Sequence, residues 1–147
     1  MAKLHNEILI EAPIDKIWEA LTIVDKLDVY DPTVKKSTAT TSLKSGIGAK
    51  RKVDMLDGKN WFEETCTVSK TNEALTYELT ACSFPVKKLK HTYSFQNMGN
   101  KIKVTQEMNY EMKFGLLGNL MGAMLKTKWN KGINEFLGGL KEYSEKQ

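Results

Sequence analysis

The chain has 147 residues, 41% hydrophobic and 27% charged, with 22 basic against 18 acidic side chains and a formal net charge of +4. A chain of this length removes roughly 70% of its unfolded surface from water on folding, so a sizeable core forms without staples and the disordered and fibrous classes are excluded. The basic excess is small and the signs are mixed, which favours solubility over nucleic-acid binding. One domain spanning 1–147 is expected. No apolar run approaches the roughly 20 residues that cross a bilayer, and no basic-then-apolar secretory leader follows Met1, so a cytosolic protein is expected.

The first strand is read from about Lys3 to Glu11. Its alternation stops at Ala12-Pro13, and Ile14, Ile17, Trp18 and Leu21 then follow at helical spacing, one apolar face of an amphipathic helix. Pro13 suits the first helical turn, where its missing N–H is no loss, and Asp15 lies near the positive end of the helix dipole. A second short helix from about Asp25 to Tyr30 is stopped by Asp31-Pro32.

From there to Lys113 the pattern is a succession of strands near 34–42, 48–56, 60–69, 74–82, 87–97 and 101–113. Gly46 and Gly48, Asp57-Gly58, Thr71-Asn72 and Gly99-Asn100 punctuate them, and connections this short imply antiparallel pairing. The last strand alternates cleanly: Ile102, Val104, Gln106, Met108, Tyr110 and Met112 face one way, and the charged and amide side chains between them the other. In the strand at 74–82, Leu75, Tyr77, Leu79 and Ala81 oppose Thr76, Glu78, Thr80 and Cys82. Cys66 and Cys82 are thereby placed on opposite faces, and no disulfide is expected.

Residues from about Leu116 to Lys146 form a long helical pattern of about 45 Å, with a stripe of Leu125, Trp129, Ile133, Phe136, Leu140 and Tyr143. Leu117, Leu120, Met121 and Met124 precede it. Such a stripe must be buried, and the concave face of the sheet is the surface available.

The order strand, two short helices, six strands and a long terminal helix, with IEAPIDKIWEAL, GIGAKRKV, ALTYEL and a closing GLKEYSE, resembles the START-like (SRPBCC) superfamily, particularly its polyketide cyclase/dehydrase and lipid-transport branch. The resemblance covers essentially the whole chain and implies an α+β helix-grip fold: a curved antiparallel sheet of about seven strands around the C-terminal helix, with an apolar cavity between them. It implies a small hydrophobic ligand, such as a lipid or polyketide, and names none. One departure is that the family often carries tryptophans after the second helix, where this chain has DVYDPTV; Tyr30 stands ready to take over that packing.

If apolar alternation marks the cavity side, Phe62, Glu64, Cys66 and Val68 point inward from one strand, Arg51, Val53 and Met55 from the preceding one, and Leu89, His91, Tyr93 and Phe95 from another. Glu64, Arg51, His91, Gln106, Tyr77 and Tyr110 are then the polar groups that could orient a ligand; Leu79, Met108, Leu117, Met121, Met124 and Leu125 complete the expected lining. Glu64 paired with Arg51 as a structural bridge is the competing reading, as is a plain core or rim role for His91. The first turns of the long helix, rich in glycine and methionine, admit three readings: a cavity floor, simple core packing, or a membrane-touching portal followed by lysines at 126, 128 and 131.

His5 and His91 are the two histidines, and no CxxC, HExxH, GxSxG, Walker or Rossmann pattern occurs, so no metal site and no cofactor is expected. Three functions compete. The first is a binding or carrier protein for a small hydrophobic molecule. The second is an aromatase/cyclase-type enzyme, which requires Glu64, His91, Tyr77 or Arg51 to converge on one point. The third is an interaction module of the Hsp90-activator kind, which requires an exposed apolar patch.

Overall fold

The computed structural model describes residues 2–146. Strand β1 (Ala2–Ile10) ends where the alternation ends, and Pro13 is the N-cap, in extended conformation, of helix α1 (Ile14–Thr22), one position before the first turn expected for it. Helix α2 is a single turn, Leu27–Tyr30, shorter than the sequence pattern suggests. Strands β2 (Val34–Ala39), β3 (Lys50–Met55), β4 (Trp61–Lys70), β5 (Ala74–Cys82), β6 (Val86–Asn97) and β7 (Ile102–Met112) follow, and helix α3 (Gly115–Glu145) closes the chain.

The strands form one antiparallel sheet in the order β1-β7-β6-β5-β4-β3-β2. Neighbours from β2 to β7 are joined by turns or short loops, whereas β1 and β2 lie at opposite edges. The connection between those edges carries α1 and α2, so both helices must travel the width of the sheet. Two tyrosines tie α1 down: the Tyr77 hydroxyl donates to Leu21 O (2.9 Å) and the Tyr30 hydroxyl to Ala20 O (3.2 Å). These are carbonyls of the last helical turn, which otherwise lack partners. Tyr30 also packs against Phe136 and Tyr143, with ring centroids 5.8 Å and 5.7 Å away.

The alternation of β7 is observed: Ile102, Val104, Gln106, Tyr110 and Met112 are buried and Met108 is half-buried. Elsewhere bulges break the period of two. Glu63 pairs with Ala81 but Glu64 with Leu79, leaving Thr80 unpaired; Cys66 pairs with Tyr77 but Val68 with Thr76, leaving Thr67 unpaired. Each extra residue reverses the faces beyond it. Val68 therefore shares the face of Thr76 and Thr92, whose hydroxyls meet at 3.0 Å, and is not inward-facing. Cys82 lies opposite Phe62 on the same face as Cys66, correcting the expected opposition. Both thiols are free because four residues of β4, about 13 Å of strand, separate Phe62 from Cys66.

Helix α3 has two unlike halves. Its second half buries Ile133, Phe136, Leu137 and Leu140 against the sheet and α2, each side chain contributing roughly 1.5–3 kcal/mol of burial free energy. In its first half the buried positions are Gly118 and Gly122. A Cβ on Gly122 would stand 2.9 Å from Met112 Cγ. These glycines bring the helix hard against the end of β7 and do not leave open space. The inward edge is thus the glycine edge, and Leu117 and Met124, expected on the cavity wall, are 63% and 75% exposed.

Gly139 makes a similar approach to α2: an added Cβ would stand 2.0 Å from Tyr30 O and 3.0 Å from Pro32 Cδ. Gly139→Ala is expected to lose about 1–3 kcal/mol in urea denaturation followed by tryptophan fluorescence. Gly132→Ala, with nothing within 4 Å of the new atom, is expected to gain up to about 1 kcal/mol.

Candidate functional site

Arg51 of β3, Glu64 of β4 and Tyr77 of β5 meet under α2 and α3 with His91 and Tyr93 of β6. Arg51 Nε donates to Glu64 Oε1 at 2.6 Å, His91 Nε2 lies 2.7 Å from Glu64 Oε2, and His91 Nδ1 lies 3.0 Å from the Tyr93 hydroxyl. The guanidinium stands over the Tyr77 ring at 4.3 Å, and the Tyr77 and His91 rings stack at 5.7 Å. Glu64 is 1% exposed, Arg51 3% and His91 8%. The Glu64–Arg51 bridge of the sequence reading exists, and His91 completes it.

Burial alone would push the Glu64 carboxyl up, but Arg51 first and His91 second hold it down to about 2. Burial likewise opposes the charge of Arg51, but the Glu64 carboxylate together with the surrounding tyrosines raises the guanidinium pKa. The hydroxyls of Tyr30, Tyr77 and Tyr93 are all pushed up by burial and stay protonated. The Cys66 thiol is pushed up as well, which makes it a poor nucleophile at neutral pH.

The polar groups do not stop at Tyr93. Gln106 is its cross-strand neighbour on β7, and Asn6 is the neighbour of Gln106 on β1. Asn6 Nδ2 donates to Asn130 Oδ1 at 2.8 Å, and Asn6 Oδ1 accepts from Asn134 Nδ2 at 3.1 Å, both partners lying on α3. A seam of polar side chains therefore crosses the inner face diagonally from Arg51 to α3. The asparagines were missed at the sequence level, although Asn6 interrupts the apolar series Leu4, Ile8, Ile10, and Asn130 and Asn134 stand one helical turn apart. Two buried atoms along the seam, Arg51 Nη1 and Gln106 Oε1, have no hydrogen-bond partner among the described residues.

The seam divides the inner face. On one side lie Ile10, Ile17, Leu21, Leu75, Val104 and Leu140, all buried, with Trp18 and Phe95 half-buried at the margin. On the other, Phe62, Leu79, Phe84, Leu89 and Met108 of the sheet side, with Met121, Leu125 and Trp129 of α3, are packed on the core yet half-buried. Trp129 anchors the helix there, edge-on to Tyr110 at 5.0 Å and 6.3 Å from Phe84.

Of the expected lining residues, Val53, Cys66 and Tyr110 are buried in the core, and the Tyr77 hydroxyl is spent on Leu21 O. Met55 sits at the strand end, beside a concavity of about 240 Å³ that Lys35, Lys36, Lys59 and Trp61 also line. A second concavity of about 380 Å³ lies between β1 and α3, around His5, Lys126 and Asn130. Both are on the outside of the molecule. Among the described residues no three His, Cys, Asp or Glu side chains come together as a metal site would need, and no helix is long and apolar enough to cross a membrane.

A curved seven-stranded antiparallel sheet gripping a long C-terminal helix, with two short helices between its edge strands, is the START-like helix-grip fold. The chain belongs to the polyketide cyclase/dehydrase and lipid transport family, whose model matches residues 1–145. Among solved structures it is similar to XoxI of Bacillus cereus, with a TM-score of 0.78 at 16% identity, covering 98% of this chain and 96% of that one. It is similar to a START superfamily protein of Mycobacterium smegmatis, with a TM-score of 0.75 at 12% identity and 96% and 97% of the chains covered. It also matches the di-domain ARO/CYC BexL from the BE-7585A biosynthetic pathway, with a TM-score of 0.74 at 12% identity, covering 97% of this chain and 46% of that one. At these identities the likeness is one of fold. No curated protein matches the chain.

Because Glu64 titrates at about 2 in the folded chain against an ordinary 4.5, its contribution to stability is complete above that ordinary value and is lost as pH falls from there toward 2. Glu64→Gln is expected to lose about 3–5 kcal/mol at pH 7 in urea titrations, because it leaves Arg51 buried beside a neutral amide. The gap from wild type is expected to narrow between pH 4.5 and 2. A gap that does not change across that window would show that the carboxylate is not held ionised.

Proposed function

We propose that this chain is a binding or carrier protein for a small hydrophobic molecule, seated between the inner face of β4–β7 and the first half of α3. The observation that carries the reading is the contrast across the polar seam. One half of the inner face is largely buried, with Trp18 and Phe95 half-buried at its margin, while the other presents a larger group of aromatic, leucine and methionine side chains that the protein's own packing leaves half-buried. An apolar ligand covering those walls gains roughly 25 cal/mol for each Å² taken out of water. The seam beside them supplies the few polar groups that fix orientation, with Arg51 Nη1 and Gln106 Oε1 holding spare hydrogen-bonding capacity. Methionines at 108 and 121 suit walls that adapt to varied shapes. Family membership supports the same class of ligand.

The cyclase reading has one observation in its favour, the convergence of Arg51, Glu64 and His91 within hydrogen-bond reach. Against it, both Glu64 oxygens are already engaged and the carboxyl is held far from the pKa of a general base at neutral pH. The cluster is better suited to holding β3, β4 and β6 together than to moving a proton.

Native mass spectrometry of the purified protein tests the binding reading. A stoichiometric small-molecule adduct, released on denaturation, is the expected result. A mass unchanged after incubation with fatty acids, sterols and aromatic polyketides would overturn it. For any ligand so identified, Met108→Trp is expected to weaken binding by about tenfold or more by filling the wall, with the thermal midpoint little changed.

A further inference from the structure

The first half of α3 is apolar on two opposite faces. Its inner edge, Gly118, Met121, Gly122 and Leu125, lies on the sheet side. On the outside, Leu116, Leu120 and Met124 stand one above another at four-residue spacing with Leu117 beside them, exposed by 90%, 61%, 75% and 63%. Phe114, at the turn into the helix, is 68% exposed and holds a left-handed backbone (φ 69°). A helical segment that is apolar all round belongs in a protein core or in contact with lipid. Among the described residues no other element covers the outer row.

The charges around this row are mostly basic, with Asp57 and Glu111 the acids at this end. Between Glu111 and Glu135 the sequence has lysines at 113, 126, 128 and 131 and no aspartate or glutamate. All four lysines are exposed, and Lys128 continues the row of Leu116, Leu120 and Met124 by one more turn. The backbone of Lys113 donates to Pro85 O, which sets the start of α3 beside the β5–β6 turn, where Lys87 and Lys88 are exposed. The Ser83 hydroxyl accepts from the Trp61 amide and so brings the β3–β4 turn to the same end, with Leu56 64% exposed and Lys59 exposed. The acid on that turn, Asp57, is tied to the backbone amides of Lys59 and Asn60.

We propose that this end of the molecule docks on anionic lipid bilayers, with Leu116, Leu117, Leu120 and Met124 entering the headgroup boundary and the surrounding lysines pairing with lipid phosphates. The arrangement has the two parts reversible interfacial binding needs, an apolar strip that enters a few ångströms and basic side chains framing it. A bare apolar row would fit a second copy of the chain equally well; the ring of lysines would then face its own image, which electrostatic repulsion disfavours. The inner side of the same helical segment borders the half-buried apolar walls, so docking would bring those walls close to the lipid phase. The proposal goes beyond the binding reading and does not depend on which ligand is held.

Co-sedimentation of the full chain with vesicles of phosphatidylcholine alone, and of phosphatidylcholine mixed with phosphatidylglycerol, tests it. Wild type is expected to bind the anionic vesicles about tenfold or more tightly than the neutral ones, and salt is expected to weaken that binding. The double variant Leu116→Gln/Leu120→Gln, changed at exposed positions, is expected to keep its circular dichroism and thermal midpoint and to lose about tenfold in vesicle affinity. The triple variant Lys126→Gln/Lys128→Gln/Lys131→Gln is expected to lose the preference for phosphatidylglycerol. Protein that stays in the supernatant with both vesicle types would overturn the proposal, as would vesicle binding unchanged in the leucine variant. Sedimentation velocity showing a wild-type dimer that the leucine variant dissolves, without vesicle binding, would assign the row to self-association instead.

Discussion

The Glu64 carboxylate is the point on which the inner face turns. Its two oxygens hold Arg51 of β3 and His91 of β6, so one buried acid ties together strands that flank it on both sides of the sheet. Removing charges from water is costly, and the arrangement is stable only because each charge finds its partner at hydrogen-bond distance. The tyrosines built around it then serve two ends at once. Their rings shield the Arg51–Glu64 ion pair, and the Tyr77 and Tyr30 hydroxyls reach past it to the last carbonyls of α1. The helix that must span the sheet is thereby fastened to the same group of side chains that carries the charge.

That group also explains why the two ends of α3 behave differently. Beyond the seam, the helix meets a closed hydrophobic surface and buries four large side chains in it. Before the seam, the helix touches β7 through glycines and leaves Leu116, Leu117 and Leu120 outside. A protein whose only task was to be stable would have little reason to place Leu116 at 90% exposure. The half-buried walls beneath that segment and the exposed row above it are two aspects of one loosely seated helix half.

Much of this was legible in the sequence, and the failures share a cause. The order of elements, the alternation in β7 and the inward set Arg51, Val53, Phe62, Glu64 and Cys66 follow from periodicity because β3 and β4 pair without a slip. The faces of Val68 and Cys82 were misread because Thr67 and Thr80 are bulged, and nothing in a run such as TYELTAC marks which residue will go unpaired. In α3 the apolar residues recur too densely to choose a face, so Leu117 and Met124 looked as inward as Met121 and Leu125. The choice was made by Gly118 and Gly122, whose missing side chains permit the closest approach.

The pairing of β1 with β7 sets Ala2 opposite Tyr110 and Ile10 opposite Ile102. The first strand thus finds its partner only after every other strand has been made, and the loop that this contact closes spans most of the chain. Contacts so distant in sequence slow folding, because chain entropy is lost before the pairing stabilises anything. During synthesis the alternating apolar side chains of β1 stay unpaired until β7 has left the ribosome, so the amino-terminal strand is the one longest at hazard of pairing with another chain.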